Sequence, residues 1–306
     1  MGKDFISIAD YSKQEILEIF SLTKELKEKT KKGEEHHFCK GKTMSMIFAK
    51  PSARTRVSFE TGMYQLGGYA LYLSPNDIGI GTRESISDVS RVISRYNDII
   101  MARLFDHNHI LELAKFASVP VINGLTDYNH PCQIMADMYT ILEQRGHLDN
   151  LKITYIGDGN NVANSWINLA SILSFSLTIC SPSGYWPDRD TLDRAREKKI
   201  SQIEVLSDPR QAVKDSDIVY TDVWASMGQE SEAKERNEIF KNYQINEQLI
   251  SLAKADAKIM HCLPAHRGQE ITADVIDGPQ SIVFDEAENR MHVQKAIMVK
   301  LAQNLI

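Results

Sequence analysis

Apolar runs of strand length alternate with stretches of helical period along almost the whole chain. Runs at 44–49, 70–74, 99–104, 119–123, 152–157, 177–181, 203–207, 218–223, 259–263 and 282–285 predict strands, and most are continuous rather than alternating. A strand covered by helices on both faces meets no water on either side, so continuous apolar runs point to parallel sheets. Between them, 13–31, 85–95, 131–143, 162–174 and 191–199 carry apolar positions at helical spacing, and a last helix lies near 289–305. This alternation predicts an α/β protein built from doubly wound parallel sheets.

The polar, glycine-containing link at 144–150 follows a helix and precedes a fresh strand, which places a domain boundary there. The expected domains are 1–147 and 148–285, and a length of 306 residues suffices for two cores. Periodicity alone assigns the final helix to neither domain. The Lys- and Glu-rich segment 24–35 reads as a solvated helix face.

Lys and Arg number 35 against 41 Asp and Glu, a net charge of −6, which argues against a nucleic-acid partner. An anionic ligand must therefore meet a local basic cluster. The uncharged stretch 159–187 is interrupted by Asn160, Asn161, Asn164 and Asn168, then by Gly184 and Pro187, so no membrane span is expected. Asp4 and Asp10 leave no apolar core of signal-peptide length at the start of the chain. Cys39, Cys132, Cys180 and Cys262 are spread singly, with neither metal-site nor disulfide-framework spacing. The expected compartment is the reducing cytoplasm.

Open α/β sheets bind ligands beyond the carboxyl ends of their strands, so the loops after strands carry the candidate chemistry. Lys50-Pro51-Ser52-Ala53-Arg54-Thr55-Arg56 precedes a helical pattern and puts hydroxyls and guanidiniums at a helix N-terminus, which suits a phosphate. The plainer reading of Ser52 is an ordinary N-cap. His130-Pro131-Cys132-Gln133 opens a helix with proline at its first position, leaving a histidine and an amide one turn apart. Asp222, followed by Ser226-Met227-Gly228, offers a carboxylate for an amine and a loop able to close over it, or simply a surface loop. In His261-Cys262-Leu263-Pro264 strand neighbours point to opposite faces, which disfavours a Cys–His dyad, and Leu263-Pro264 is a candidate cis bond.

Gly157-Asp158-Gly159-Asn160-Asn161-Val162 imitates a dinucleotide fingerprint. Val162 stands where the third glycine belongs, and no acidic residue ends the next strand, so a nicotinamide-dependent dehydrogenase is disfavoured.

Together, Ser52-Ala53-Arg54-Thr55-Arg56, His130-Pro131-Cys132-Gln133, Asp222…Ser226-Met227-Gly228 and His261-Cys262-Leu263-Pro264 resemble, in order, the motifs of the aspartate/ornithine carbamoyltransferase family. The first two are common to both branches, the last two point to ornithine, and the similarity runs essentially end to end. The resemblance implies a carbamoyl-phosphate domain, an ornithine domain, a last helix at 286–306 returning to the first domain, and an active site in the cleft between them. It also implies a cytoplasmic homotrimer or multiple of trimers in arginine biosynthesis, requiring no metal or organic cofactor. The implied activity transfers the carbamoyl group to the δ-amine of L-ornithine, giving L-citrulline and phosphate.

Carried over by position, Ser52, Ala53 through its N–H, Arg54 and Thr55 would hold the phosphate, and Arg103 would bridge phosphate and carbamoyl oxygen. His130 would donate to that oxygen, and Gln133 would accept from the carbamoyl amide. Asn161 would bind the ornithine α-carboxylate, Asp222 and Ser226 its α-amino group, and Met227 would close over it. Cys262 and the Leu263 carbonyl would lie beside the attacking amine and the carbamoyl group, which Arg290 would reach from the final helix. Arg103, His130, Asp222 and Cys262 are the implied catalytic set.

Two positions depart from the family pattern. Ala53 replaces the usual threonine and removes a hydroxyl from the phosphate loop. Gly79 stands where relatives carry a polar side chain reaching a neighbouring subunit, and Arg83 is the nearby candidate to compensate. Beside the disfavoured dehydrogenase, two further rival readings stand: a carbamoyltransferase acting on putrescine or another amine, and an anion- or amino-acid-binding module without turnover.

Overall fold

The structure, a computed structural model, describes residues 4–80, 83–226 and 228–303. It divides into two compact units, Met1–Tyr139 with Asn289–Ile306, and Thr140–Glu288.

In unit 1 the chain begins with helix α1 (Lys13–Lys31), whose start is fixed by a capping box. The Ser12 hydroxyl accepts from the Glu15 amide, and the Glu15 carboxylate accepts from the Ser12 N–H. There follow β1 (Thr43–Phe48), α2 (Ala53–Gln65), β2 (Tyr69–Leu73), α3 (Pro75–Ile78) and α4 (Ile86–Ile93). Then come β3 (Ile99–Arg103), α5 (His107–Phe116), β4 (Val121–Leu125) and α6 (Pro131–Arg145), which passes into unit 2. The four strands form one parallel sheet in the order β2-β1-β3-β4. The chain therefore winds outward from β1 to β2, returns to β3 on the other side of β1, and continues outward. With right-handed crossovers this places helices on both faces, and it makes the gap between β1 and β3 the point where winding reverses.

Unit 2 repeats the scheme with β5 (Lys152–Ile156), α7 (Asn161–Ala170), β6 (Ser176–Cys180), α8 (Arg189–Glu197), β7 (Gln202–Leu206) and α9 (Pro209–Val213). It continues with β8 (Ile218–Thr221), α10 (Ala233–Phe240), α11 (Glu247–Ile250), β9 (Lys258–His261) and α12 (Ala273–Ile276). Helix α13 (Val283–Gln303) starts here, and its residues from Asn289 belong to unit 1. The parallel sheet runs β7-β6-β5-β8-β9, so its reversal lies between β5 and β8.

The continuous apolar runs are explained by position in the sheets. Every residue of β3, β4 and β8 is buried, the outer edge of β4 being covered by Phe5, which bridges to Ile122. The edge strands β2 and β7 instead mix exposed and half-buried positions, with Ile203 alone buried. The predicted strands and helices reappear within a few residues, with one exception. The run 282–285 is not a strand, because α13 begins at Val283, three residues ahead of the expected 286. The short apolar stretch is the helix's first turn: Val283 is buried, Phe284 is exposed, and Asp285 and Glu286 complement the positive end of the helix dipole. Periodicity does not announce α5 and α10 or the short helices α3, α9, α11 and α12, although Asp106 caps α5 by accepting from the Asn108 amide at 2.8 Å.

Candidate active site

Both reversal points are where the chemically suggestive loops fall. In unit 1, Ser52 is the N-cap of α2 and accepts the Thr55 N–H at 3.3 Å, so the plain capping role and the phosphate-loop role coexist. The Thr55 hydroxyl is fully buried and receives three donors, each at 3.1 Å. These are Ser52 Oγ, Arg103 Nη1 from the end of β3, and Arg290 Nη2 from α13. Like charges held on one hydroxyl repel, and an anion between them removes that repulsion. Lys50 is buried, pairs with Asp127 Oδ1 at 2.5 Å and lies 4.4 Å from the centre of the Phe105 ring.

His130 precedes α6 and is buried; burial holds its imidazole well below the usual histidine range, and Arg290, Arg103 and Arg54 push it the same way. At neutral pH it is therefore an uncharged ring able to donate one N–H. Gln133 Nε2 donates to Asp137 Oδ1 at 2.7 Å along α6, which fixes the orientation of the amide. Unit 1 thus brings Thr55, Arg103, His130 and Arg290 together with Ser52 and Arg54. Ala53 is the first residue of α2, where its side chain is not required for the cap.

In unit 2 the centre is Asp222, just past β8 and buried. Its Oδ1 accepts from Cys262 Sγ at 3.0 Å and from the Val223 N–H at 2.8 Å, while Oδ2 accepts from Asn160 Nδ2 at 2.9 Å. Asn160 also caps α7 by accepting from the amides of Val162 and Ala163. Asn161 is the first residue of that helix. The Ser226 N–H donates to Gln229 Oε1 at 3.0 Å, while Met227 lies outside the described residues.

Cys262 bonds to Asp222 and not to its sequence neighbour His261. His261 Nδ1 accepts the Leu263 N–H at 2.9 Å, so the ring proton sits on Nε2 and is donated to Glu270 Oε1 at 3.0 Å. Asp222, His261 and Cys262 do place one ligand atom each within 4.8 Å of one another, a cluster their sequence spacing does not announce. Both ring nitrogens of His261 are already committed, which leaves two donors and no closed metal shell. Leu263-Pro264 is a cis peptide, as the sequence suggested, with Leu263 in the left-handed region at φ 57°.

The glycine pair of the false dinucleotide fingerprint has a packing role. A Cβ on Gly159 would lie 2.3 Å from the backbone of Trp186 and Pro187, and Gly157 holds φ 150°. Gly79 likewise ends α3 in the left-handed region at φ 52°, with its N–H bonded to Pro75 O, so local backbone geometry favours glycine there. Arg83 Nη2 donates to Asp77 O at 2.7 Å.

Sequence reasoning missed Asn160, Asp158, Arg236, Glu270 and Glu286 as neighbours of these groups. Asn160 carried a signal, an N-cap type directly before the helix. Glu286 accepts the His261 N–H at 3.0 Å from a position 25 residues away, and no local pattern reports such a contact.

The family model for the carbamoyl-P binding domain of aspartate/ornithine carbamoyltransferases matches residues 3–143, and that for the Asp/Orn binding domain matches 149–301. The chain belongs to the aspartate/ornithine carbamoyltransferase family. Among its relatives, the chloroplastic ornithine carbamoyltransferase of Pisum sativum is 56% identical over 97% of this chain and 80% of its own length. The ornithine carbamoyltransferase of Thermococcus kodakarensis is 52% identical over 97% of this chain and 95% of its own. The solved ornithine carbamoyltransferase of Pyrococcus furiosus superposes with a TM-score of 0.93 at 50% identity, covering 96% of this chain and 95% of that one.

Proposed function

We propose that this protein transfers the carbamoyl group of carbamoyl phosphate to the δ-amine of L-ornithine, releasing L-citrulline and phosphate. The observation that carries the reading is the convergence of Ser52, Arg103 and Arg290 on the Thr55 hydroxyl at the reversal point of the first sheet. Residues 1–147 with the final helix are the carbamoyl-phosphate domain in this reading, and 148–285 the ornithine domain.

The substrate is an acyl phosphate, so negative charge grows on the carbonyl oxygen and on the leaving phosphate as the amine attacks. Ser52, the Ala53 N–H, Arg54 and Thr55 hold the phosphate at the start of α2, where the helix dipole adds to the guanidinium charge. Arg103 and Arg290 reach phosphate and carbamoyl oxygen, and neutral His130 donates to the latter. Preorganised donors of this kind are each worth about 3–4 kcal/mol of barrier. Gln133 accepts from the carbamoyl amide. On the amino-acid side Asp222 and Ser226 take the α-ammonium, Asn161 the α-carboxylate, and Met227 covers the chain. Cys262 and the Leu263 carbonyl flank the δ-amine, which must shed a proton from a lysine-like pKa of about 10 before it attacks. Holding both substrates in contact supplies much of the remaining acceleration.

A cytoplasmic homotrimer, or a multiple of trimers, acting in arginine biosynthesis completes the proposal. Support for self-association comes from apolar side chains exposed on one stretch of unit 1: Val57 and Tyr64 on α2, with Tyr69 and Leu71 on the edge strand β2. Among the described residues no helix is long and apolar enough to cross a membrane, and all four cysteines are free. The test is a citrulline assay with ornithine, putrescine and aspartate in parallel. Carbamoylation of ornithine well ahead of the other two is expected, and absence of citrulline refutes the proposal.

A further inference from the structure

We propose that Arg236, anchored on Asp158, is a positioning residue for the amino-acid substrate, fixing the loop that carries Ser226 relative to Asp222. This rests on the reading of unit 2 as the ornithine half-site.

One guanidinium ties together both ends of that loop. Arg236 Nη1 donates to Trp224 O at 3.1 Å, at the loop's start, and Nε donates to Glu232 Oε2 at 2.8 Å, at its end. The same Nη1 donates to Asp158 Oδ2 at 2.9 Å, and the guanidinium lies 5.1 Å from the Tyr185 ring centre. The pair is largely buried, with side-chain exposures of 8% for Arg236 and 12% for Asp158. Asp158 sits on the turn after β5 that also presents Asn160, the residue that bonds Asp222. Tyr155 stiffens the turn by donating to Asp158 O at 2.9 Å. From Ser226 the polar contacts run to Gln229, whose main-chain O accepts the Glu232 N–H at 2.9 Å, then through Glu232 and Arg236 to Asp158. The main-chain O of Asp158 accepts the Asn160 N–H at 2.7 Å, and Asn160 bonds Asp222, so both proposed partners of the ornithine α-ammonium lie on one chain of contacts. Burial alone would explain an ion pair that merely holds the unit together. A pair placed to set one loop against one carboxylate predicts a selective kinetic effect.

Burial raises the Asp158 carboxyl to about 6 against the opposing pull of Arg236, while Asp222 and Glu232 push it in the same direction as burial. Protonation below that pH weakens the anchor in the wild-type protein and leaves an Asp158→Asn variant indifferent.

The experiment is steady-state citrulline formation by the full chain and by Arg236→Ala, Arg236→Lys and Asp158→Asn. The expected result is a KM for ornithine raised about tenfold or more in Arg236→Ala and Asp158→Asn, with the KM for carbamoyl phosphate within about twofold of wild type. Arg236→Lys recovers part of the loss, since lysine keeps the charge on Asp158 but cannot serve Trp224 and Glu232 as a fork. The ratio of the Asp158→Asn to the wild-type KM for ornithine, high at pH 8, falls towards one below about pH 6. An unchanged KM for ornithine, equal changes for both substrates, or a ratio flat with pH overturns the inference. If Arg236→Ala fails to fold, the isosteric Asp158→Asn carries the same readings. A wild-type protein that forms no citrulline refutes the activity itself, a distinct outcome from normal wild-type turnover with insensitive variants.

Discussion

The two candidate half-sites use one architectural device with opposite charge. In each unit the candidate binding groups sit where a parallel sheet reverses its winding, between β1 and β3 in one and between β5 and β8 in the other. In unit 1 guanidiniums from a strand end and a helix converge on the Thr55 hydroxyl beside a helix N-terminus, an arrangement suited to an anion. In unit 2 the focus is the Asp222 carboxylate, held by Cys262, the Val223 amide and Asn160, an arrangement suited to an ammonium. The fold supplies the place, and a few side chains decide the sign. The contrast also explains how a chain of net charge −6 can still serve an anionic substrate, because its positive charge is concentrated locally.

The largest way to disturb this contrast is to strip the cationic side. Arg54→Ala or Arg103→Ala should lower kcat/KM for carbamoyl phosphate by about 10²–10³-fold, the usual cost of one preorganised donor to developing charge. Direct binding of inorganic phosphate, followed calorimetrically, should weaken in parallel. On the other side Asp222→Asn should reduce kcat/KM for ornithine by about 10–10²-fold, consistent with about 1.4–2.8 kcal/mol lost from a charge-assisted contact. Equal damage to both substrates would erase the division of labour between units.

A third expectation concerns pH. Because burial and three arginines keep His130 uncharged, no loss of carbamoyl-phosphate affinity should come from its protonation between pH 6 and 8. In that range the ratio of wild-type to His130→Gln kcat/KM should stay constant, within about twofold. A ratio that climbs with a midpoint near 6.5 would mean that the imidazole titrates.

The smallest effect is on stability and lies away from both half-sites. Lys295 on α13 is fully buried, and its Nζ is bonded to Thr30 Oγ1, Gln65 Oε1 and His36 Nε2, all neutral acceptors when His36 is unprotonated. Burial lowers its ammonium from 10.5 to about 8. Between those pH values the unfolded chain binds more protons than the folded one, so this group makes stability rise with pH from about 8 to 10.5. Lys295→Met should remove that slope. Thermal unfolding should record the change as a few degrees in Tm, at about 2–4 °C per kcal/mol for a unit of this size.

The sequence by itself marked nine of its ten predicted strands correctly, because burial writes a largely apolar run, and with them the loops that follow. Ser52, Arg54, Thr55, His130, Asp222 and Cys262 were all legible in this way, since each sits within a few residues of a strand end or helix start. The run 282–285 reads as a strand because Ile282, Val283 and Phe284 are adjacent apolar residues, and the polar residues Asp285, Glu286 and Glu288 that follow separate them from the periodic part of the same helix. Arg103 and Arg290 were placed by resemblance alone. Nothing local says that a β3 residue and an α13 residue share the Thr55 hydroxyl. Only the tertiary structure decides which groups meet: that Cys262 bonds to Asp222 while its neighbour His261 turns to Glu270, and that Arg236 closes a loop onto Asp158. The reason is physical. Periodicity records how each residue divides itself between water and core, a property of its own segment. Hydrogen bonds between segments tens or hundreds of residues apart are fixed by sheet order and winding, which leave no mark on either partner alone.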